Sequence, residues 1–152
     1  ATPAWVARHN YSYPDYAALP DNLIEGLRAS LARFAPPEPV ASIVVCAWNE
    51  EVNIVKTLAT LARQQTALPV EIVVVNNNST DHTAEVLRRL GVRTVFQPVQ
   101  GWGPARQLGQ ETAKGQFILT ADADCLYSPG WVNAMMRVLT RRNAAYASNS
   151  HI

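Results

Sequence analysis

The sequence predicts an α/β fold, in which a mostly parallel sheet has helices on both faces. From residue 40 onward, short runs rich in β-branched residues alternate with segments of helical periodicity. The chain of 152 residues is 48% hydrophobic, which is enough for one sizeable core but not for several domains. Polar clusters follow the strand-like runs, as expected where the carboxyl ends of parallel strands meet a ligand.

Residues 1–39 are predicted to form an N-terminal extension, because six of the ten prolines lie there. The extension contains one short amphipathic helix, preceded by Asp21 or Asn22 as N-cap and followed by Pro36 and Pro37. Its polar face is not especially basic, so we expect it to pack against the domain rather than to serve as a membrane-surface or partner helix. The apolar residues at helical spacing are Leu23, Leu27, Leu31 and Phe34.

Residues 40–152 are predicted to form a Rossmann-like domain of alternating strands and helices, with ligands bound outside the strand ends. Strands are expected at 42–47, 71–75, 92–96 and 117–120. Helices are expected around 54–61, around 86–87, from about 103 to 114, and after Ser128 as N-cap with Pro129 in the first turn. The apolar stretch 144–147 is a candidate fifth strand.

Composition excludes several classes of function. A formal net charge of +1 gives no general footprint for nucleic acid, and the longest apolar run, 43–48, is too short to span a membrane. Cys46 and Cys125 are far apart, without the spacing of a zinc site or of a disulfide framework. We therefore expect a cytoplasmic location, with peripheral association at the inner membrane surface as an open alternative.

Four polar clusters follow the four predicted strands, at 48–51, 76–81, 101–106 and 122–124. Each cluster alone is compatible with a simple turn or helix cap, since Asn, Asp and Gly are common there. Asp122 and Asp124 are the sharpest signal, because residues two apart in an extended segment point to the same side. They are candidate ligands of Mg²⁺ or Mn²⁺, and the alternative is a solvated turn before Ser128.

Residues 41–131 resemble the first half of an inverting family 2 glycosyltransferase with the GT-A fold. The segment 42–51 resembles the first strand and its nucleotide-contacting turn, although proline and tyrosine commonly replace Cys46 and Trp48. The segment 71–81 resembles the second-strand motif, in which two aspartates and a glycine usually replace the three asparagines. Asp122 and Asp124 coincide with the metal motif of the family. The segment between these motifs is matched by Gly101, Gly103, Ala105, Arg106, Gly109 and Gly115.

The resemblance implies a nucleotide-sugar donor across the strand ends. It places Trp48 and Asn49 near the base, Asn76 bonded to the base, Asp122 near the ribose and Asp124 on the metal. The full set of implied donor-binding residues is Cys46, Ala47, Trp48, Asn49, Glu50, Asn76, Asn78, Arg106, Asp122, Ala123 and Asp124. The implied topology also makes the first and fourth strands neighbours, so that two free thiols, Cys46 and Cys125, come close together.

Two of these residues have structural alternatives. Arg106 suits the nucleotide or the phosphates of the donor, because its guanidinium stays charged and bonds in a bidentate way. It could equally form a salt bridge with Glu111 or Glu85 on a helix surface. Trp48 is either a base-stacking wall or a core aromatic.

The amide at Asn76 favours a UDP-sugar. A carboxylate only accepts hydrogen bonds and suits the two donors of guanine, whereas an amide offers the donor and acceptor that complement uracil. In the resembled family a carboxylate from the second half of the domain is the catalytic base. We expect that base beyond Ile152, and we interpret the chain as the donor-binding half of a longer protein, with an unknown acceptor.

Three alternatives to a glycosyltransferase remain open at this point. One is a module that binds nucleotide sugar without turnover. Another is a dinucleotide dehydrogenase, although Arg106 stands where a third glycine is needed and the segment follows the third strand, not the first. The last is a nucleotidyltransferase. This assignment is weakened because no glycine-rich loop with basic residues follows the first predicted strand.

Overall fold

A computed structural model describes residues 16–141, and these residues form a four-stranded, all-parallel sheet in the order β3-β2-β1-β4. The predicted α/β fold is therefore confirmed, as is the adjacency of the first and fourth strands. The candidate fifth strand at 144–147 lies outside the described residues. The strands are β1 (Ala41–Ala47), β2 (Val70–Asn76), β3 (Arg93–Phe96) and β4 (Phe117–Asp122).

Helices connect the strands and cover both faces of the sheet. They are α1 (Asp21–Leu31), α2 (Asn53–Leu61), α3 (Thr83–Leu90), α4 (Trp102–Thr112) and α5 (Trp131–Arg141), with single 3₁₀ turns at Tyr16–Ala18 and Ala32–Phe34. None of the helices in this part of the chain is long and apolar enough to cross a membrane.

Helix α5 begins two residues later than the sequence predicts. The Ser128 carbonyl accepts a hydrogen bond from Gln64 Nε2 at 2.6 Å, and the Pro129 carbonyl accepts one from the Gln65 amide at 2.8 Å. These bonds tie the segment to the residues that follow α2. Ser128 and Pro129 therefore belong to a turn, and the helix starts at Trp131.

Helix α1 docks against the domain, as its apolar spacing predicts. Ile24, Leu27, Leu31 and Phe34 are buried in the main core cluster with the inner strands. The predicted N-cap is wrong, because Asp21 is the first helical residue and Pro20 occupies the cap position without a side-chain cap bond. The Asp21 carboxylate instead pairs with Arg89 of α3 at 2.7 Å.

Alternate residues of β1 face opposite layers of the molecule. Ile43 and Val45 belong to the main core cluster, which includes residues of α1, α2, α3 and α5. Val44 packs on the other face with Val75 and Ala105 of α4. This second face is tight, because a Cβ atom at Gly109 would lie 2.3 Å from Val44 Cγ1. The absence of a side chain at Gly109 therefore lets α4 lie close to β1 and β2.

Candidate functional site

A cavity of about 450 Å³ opens at the carboxyl ends of β1, β2 and β4. Seven of the eleven residues that the sequence singled out for donor binding line it: Cys46, Ala47, Trp48, Glu50, Asp122, Ala123 and Asp124. Asn77, Trp102, Ala105 and Cys125 complete the wall. The site is therefore assembled from segments that are far apart in sequence but adjacent in the sheet.

Asp122 and Asp124 both line the cavity, as expected for residues two apart at a strand end. Asp122 ends β4 and lies opposite Cys46 of β1 in the parallel register. Ala121 and Ala123 alternate with the carboxylates and are buried in the main core. The Sγ atom of Cys125 lies 4.0 Å from Asp122 Oδ2 and 3.6 Å from Asp124 Oδ1.

Side chains beneath the two carboxylates hold the loop that carries them. Thr57 of α2 is fully buried, and its hydroxyl lies 2.7 Å from the Ala123 carbonyl oxygen and 2.8 Å from that of Cys125. The Asp122 amide donates to Tyr127 Oη at 2.7 Å. Burial raises the pKa of the Tyr127 phenol, so its hydroxyl stays protonated. The backbone around Asp124 is thus fixed by residues that do not line the cavity.

The two carboxylates fit a divalent ion only if other groups share its coordination shell. Within residues 16–141, no group of three or more histidine, cysteine, aspartate or glutamate side chains could hold a metal ion. Mg²⁺ is commonly bound through one or two carboxylates together with substrate phosphates and water. The pair Asp122 and Asp124 matches that partial, oxygen-based set.

The turn after β1 is bonded to the turn after β2. Asn49 adopts a left-handed backbone (φ 50°), and its Oδ1 accepts from the Thr80 amide at 2.8 Å. The backbone N–H of Asn49 donates to Ser79 Oγ at 3.0 Å. Asn49, predicted to lie near the base, thus holds two loops together and does not line the cavity.

Glu50 lines the same cavity as Asp122 and Asp124, the candidate metal ligands. Burial raises the pKa of its carboxyl group, a hydrogen bond from Asn53 lowers it, and the negative charges of Asp124 and Asp81 raise it further. Ionised Glu50 is therefore less favourable here than in water, and nearby positive charge would relieve it.

The three consecutive asparagines have three different placements. Asn77 lines the cavity, on the face of the sheet that α4 covers, whereas Asn76 does not. Asn76 Oδ1 accepts a hydrogen bond from the Ser79 backbone amide at 3.2 Å, and its bond to the base stays a prediction. Asn78 is left-handed (φ 57°) and its Nδ2 donates to the Pro98 carbonyl at 3.3 Å, outside the cavity wall.

Asn77 ties β2 to the segment that leads into α4. Its Nδ2 donates to the carbonyl oxygens of Gln97 at 3.1 Å and Val99 at 2.8 Å, and its Oδ1 accepts from the Gly101 amide at 2.9 Å. Only 6% of Asn77 is exposed. This buried amide therefore sets where α4 begins and places Trp102 at the cavity.

Two tryptophans of the cavity wall face solvent. Trp48 is 53% exposed, so the core interpretation of this residue is wrong. Trp102 is 72% exposed and was not singled out from the sequence. The sequence offered one signal for an exposed Trp102, since this tryptophan stands between two glycines, Gly101 and Gly103, and one helical turn before Arg106.

Arg106 does not line the cavity but borders it. Its guanidinium carbon lies 4.5 Å from the centroid of the Trp102 ring. The carboxylate of Glu111, one of its two predicted salt-bridge partners, accepts a hydrogen bond from Gln107 at 3.0 Å.

Two cysteines lie in the cavity wall. Burial raises the pKa of the Cys46 thiol, and the charge of Arg106 lowers it. Cys46 and Cys125 are free thiols that line the same cavity, as the neighbouring strands predict.

A match to a known family identifies the class of protein. A family model for glycosyl transferase family 2 matches residues 42–151. Because this match covers more than half of the chain, the chain belongs to glycosyl transferase family 2. The dehydrogenase and nucleotidyltransferase alternatives are thereby excluded.

Known proteins similar to the chain are larger than it. The validoxylamine A glucosyltransferase of Streptomyces hygroscopicus subsp. jinggangensis is 35% identical over 105 residues, which are 64% of this chain and 25% of that protein. S. aureus TarS 1-349 in complex with UDP-GlcNAc has a TM-score of 0.58 at 25% identity, over 68% of this chain and 32% of that one. The mannosyltransferase PcManGT from Pyrobaculum calidifontis, in complex with GDP-Man and Mn²⁺, has a TM-score of 0.54 at 25% identity, over 68% and 34%. The chain thus spans about a quarter to a third of their lengths.

Proposed function

We propose that the cavity binds a nucleoside diphosphate sugar, with a UDP-sugar favoured, as the donor site of a glycosyltransferase. The observation that carries the proposal is the pair Asp122 and Asp124, which share one cavity with the exposed indole of Trp48 at the ends of adjacent parallel strands. The complex of TarS with UDP-GlcNAc supports a UDP-sugar. The complex of PcManGT with GDP-Man keeps the choice of base open to experiment.

Each part of the cavity suits one part of such a donor. An exposed indole offers a flat apolar face on which a nucleobase stacks. The carboxylates of Asp122 and Asp124 would hold Mn²⁺ or Mg²⁺, and such an ion supplies positive charge that neutralises a diphosphate leaving group. Thr57 and Tyr127 keep those carboxylates in place from below. Residues 1–39 are proposed as an N-terminal extension that precedes the donor-binding region, 40–152.

Calorimetry with Mn²⁺ and UDP tests the proposal on the chain itself. Two carboxylates leave most of the coordination shell to other ligands, so each ligand should bind more tightly when the other is present. Asp124→Asn should remove this coupling. Asp21→Asn is the matched control, because Asp21 lies on the exposed start of α1 and pairs only with Arg89 among the ion pairs described.

Two results would contradict the donor site. One is Mn²⁺–UDP coupling that survives in Asp124→Asn, which would show that the ion binds elsewhere. The other is a wild-type chain that binds neither UDP nor GDP when Mn²⁺ is present. A competition between UDP and GDP then decides the base, and tighter binding of GDP would refute the preference for uracil.

A further inference from the structure

Trp102 stands at the cavity in an arrangement that packing does not explain. It is the first residue of α4, it lines the cavity, and 72% of it is exposed. The flanking Gly101 and Gly103 have no side chains that could cover the indole. Its one described aromatic contact is with the guanidinium of Arg106, one turn further along the helix.

The cavity wall itself carries an excess of negative charge. Among the described residues that line it, Glu50, Asp122 and Asp124 are acidic and none is lysine or arginine. A nucleoside diphosphate is also anionic, so the site needs positive charge beyond the wall. The Arg106 guanidinium lies 4.5 Å from the ring centroid of Trp102, a residue of that wall, and so stands next to the cavity.

We propose that Trp102 is a positioning residue that holds the Arg106 guanidinium at the mouth of the cavity, where it meets the diphosphate of the donor. A guanidinium that stacks on an aromatic face keeps its in-plane N–H groups free for phosphate oxygens. The stacked geometry also spares part of the rotamer entropy that a long, mobile side chain loses on binding. This inference rests on the proposed donor site.

A double-mutant cycle on UDP binding in the presence of Mn²⁺ tests the role of Trp102. Trp102→Ala should weaken UDP binding by about two- to fivefold, the range that corresponds to an exposed cation–π contact. Trp102→Phe should restore most of the affinity, since it keeps an aromatic face. In an Arg106→Ala background, Trp102→Ala should cause no further loss, because the side chain that it positions is gone.

Trp48→Ala is the matched control, since Trp48 is the other exposed indole of the same cavity. Its effect on UDP binding should persist in the Arg106→Ala background. Equal losses from Trp102→Ala with and without Arg106 would overturn the proposal, and so would unchanged affinity in Trp102→Ala. If the wild-type chain binds UDP and the cycle is additive, only this inference fails. If the wild-type chain binds no nucleotide, the donor site fails and this inference with it.

Discussion

Asn77→Asp tests whether the Asn77 side chain attaches the segment that leads into α4, while the candidate metal ligands stay unchanged. The new side chain has nearly the same shape but only accepts hydrogen bonds. The Nδ2 group that donates to the carbonyl oxygens of Gln97 and Val99 would be replaced by an oxygen that faces both. The bond from the Gly101 amide to Oδ1 could remain. The segment that leads into α4 would therefore lose two of the three bonds that it makes with the Asn77 side chain.

The size of the effect follows from those contacts. Each buried hydrogen bond contributes about 0.5–1.5 kcal/mol net, and leaving a buried carbonyl without its donor costs about 1–3 kcal/mol. Two such losses at a residue only 6% exposed give an expected destabilisation of about 3 kcal/mol. Urea unfolding monitored by circular dichroism measures it. UDP binding with Mn²⁺ should also weaken under native conditions, because Trp102 follows the loosened segment.

Asn78→Asp is the matched control, with the same change of atoms and charge one residue further along the chain. Asn78 is exposed and donates one long bond, 3.3 Å, to Pro98. Aspartate also tolerates the left-handed backbone of that position. The control should therefore lose less than about 1 kcal/mol, since surface changes are usually small. Equal losses in the two variants would refute the assignment of the loop anchor to Asn77.

Three further predictions concern packing, charge and the acidic loop. Gly109→Ala should cost about 1–3 kcal/mol of stability through overpacking against Val44, while Gly103→Ala, whose Cβ would meet nothing within 4 Å, should cost nothing; urea unfolding compares them. The raised pKa of Glu50 means that the wild-type chain loses stability as pH rises through it, so Glu50→Gln should be the more stable protein at neutral pH and no more stable in acid. A difference that does not vary with pH would contradict this. Thr57→Val should cost about 1–2 kcal/mol and weaken Mn²⁺ binding with UDP, because the loop carbonyls of Ala123 and Cys125 lose the one hydroxyl proton that they share; calorimetry that shows unchanged affinity would refute the tether.

The sheet and the acidic pair could be predicted because both depend on simple periodicities. β-branched runs separated by helical segments define a parallel sheet, and the resemblance supplied the adjacency of β1 and β4. Asp122 and Asp124 were expected on one side because extended residues alternate, and the alternation of buried Ala121 and Ala123 with the two exposed carboxylates continues past the end of β4. The structure confirms both, with Cys46 opposite Asp122 in the register.

The placement of the asparagines could not be predicted because alternation ends with the strand. β2 ends at Asn76, and Asn78 turns the chain through a left-handed conformation. Which amide reaches the cavity depends on hydrogen bonds to residues 97–101, more than twenty positions away for Val99 and Gly101. Trp102 was missed for a similar reason, since its exposure depends on where α4 meets the sheet.

Asn77 and Asn78, which depart from the family pattern, both act on the conformation or the attachment of the loop after β2. Asn78 stands where a glycine is usual in the resembled family, and its φ of 57° is a conformation that glycine adopts freely and asparagine tolerates. Asn77 stands where an aspartate is usual, yet here it needs an amide, because two of its three partners are carbonyl oxygens. The departures therefore act on the attachment of the loop, while the groups suited to a donor, Trp48, Asp122 and Asp124, come from other strand ends. Asn76 lies outside the cavity wall and accepts a hydrogen bond from the Ser79 amide, so the competition between UDP and GDP tests whether its amide contacts the base.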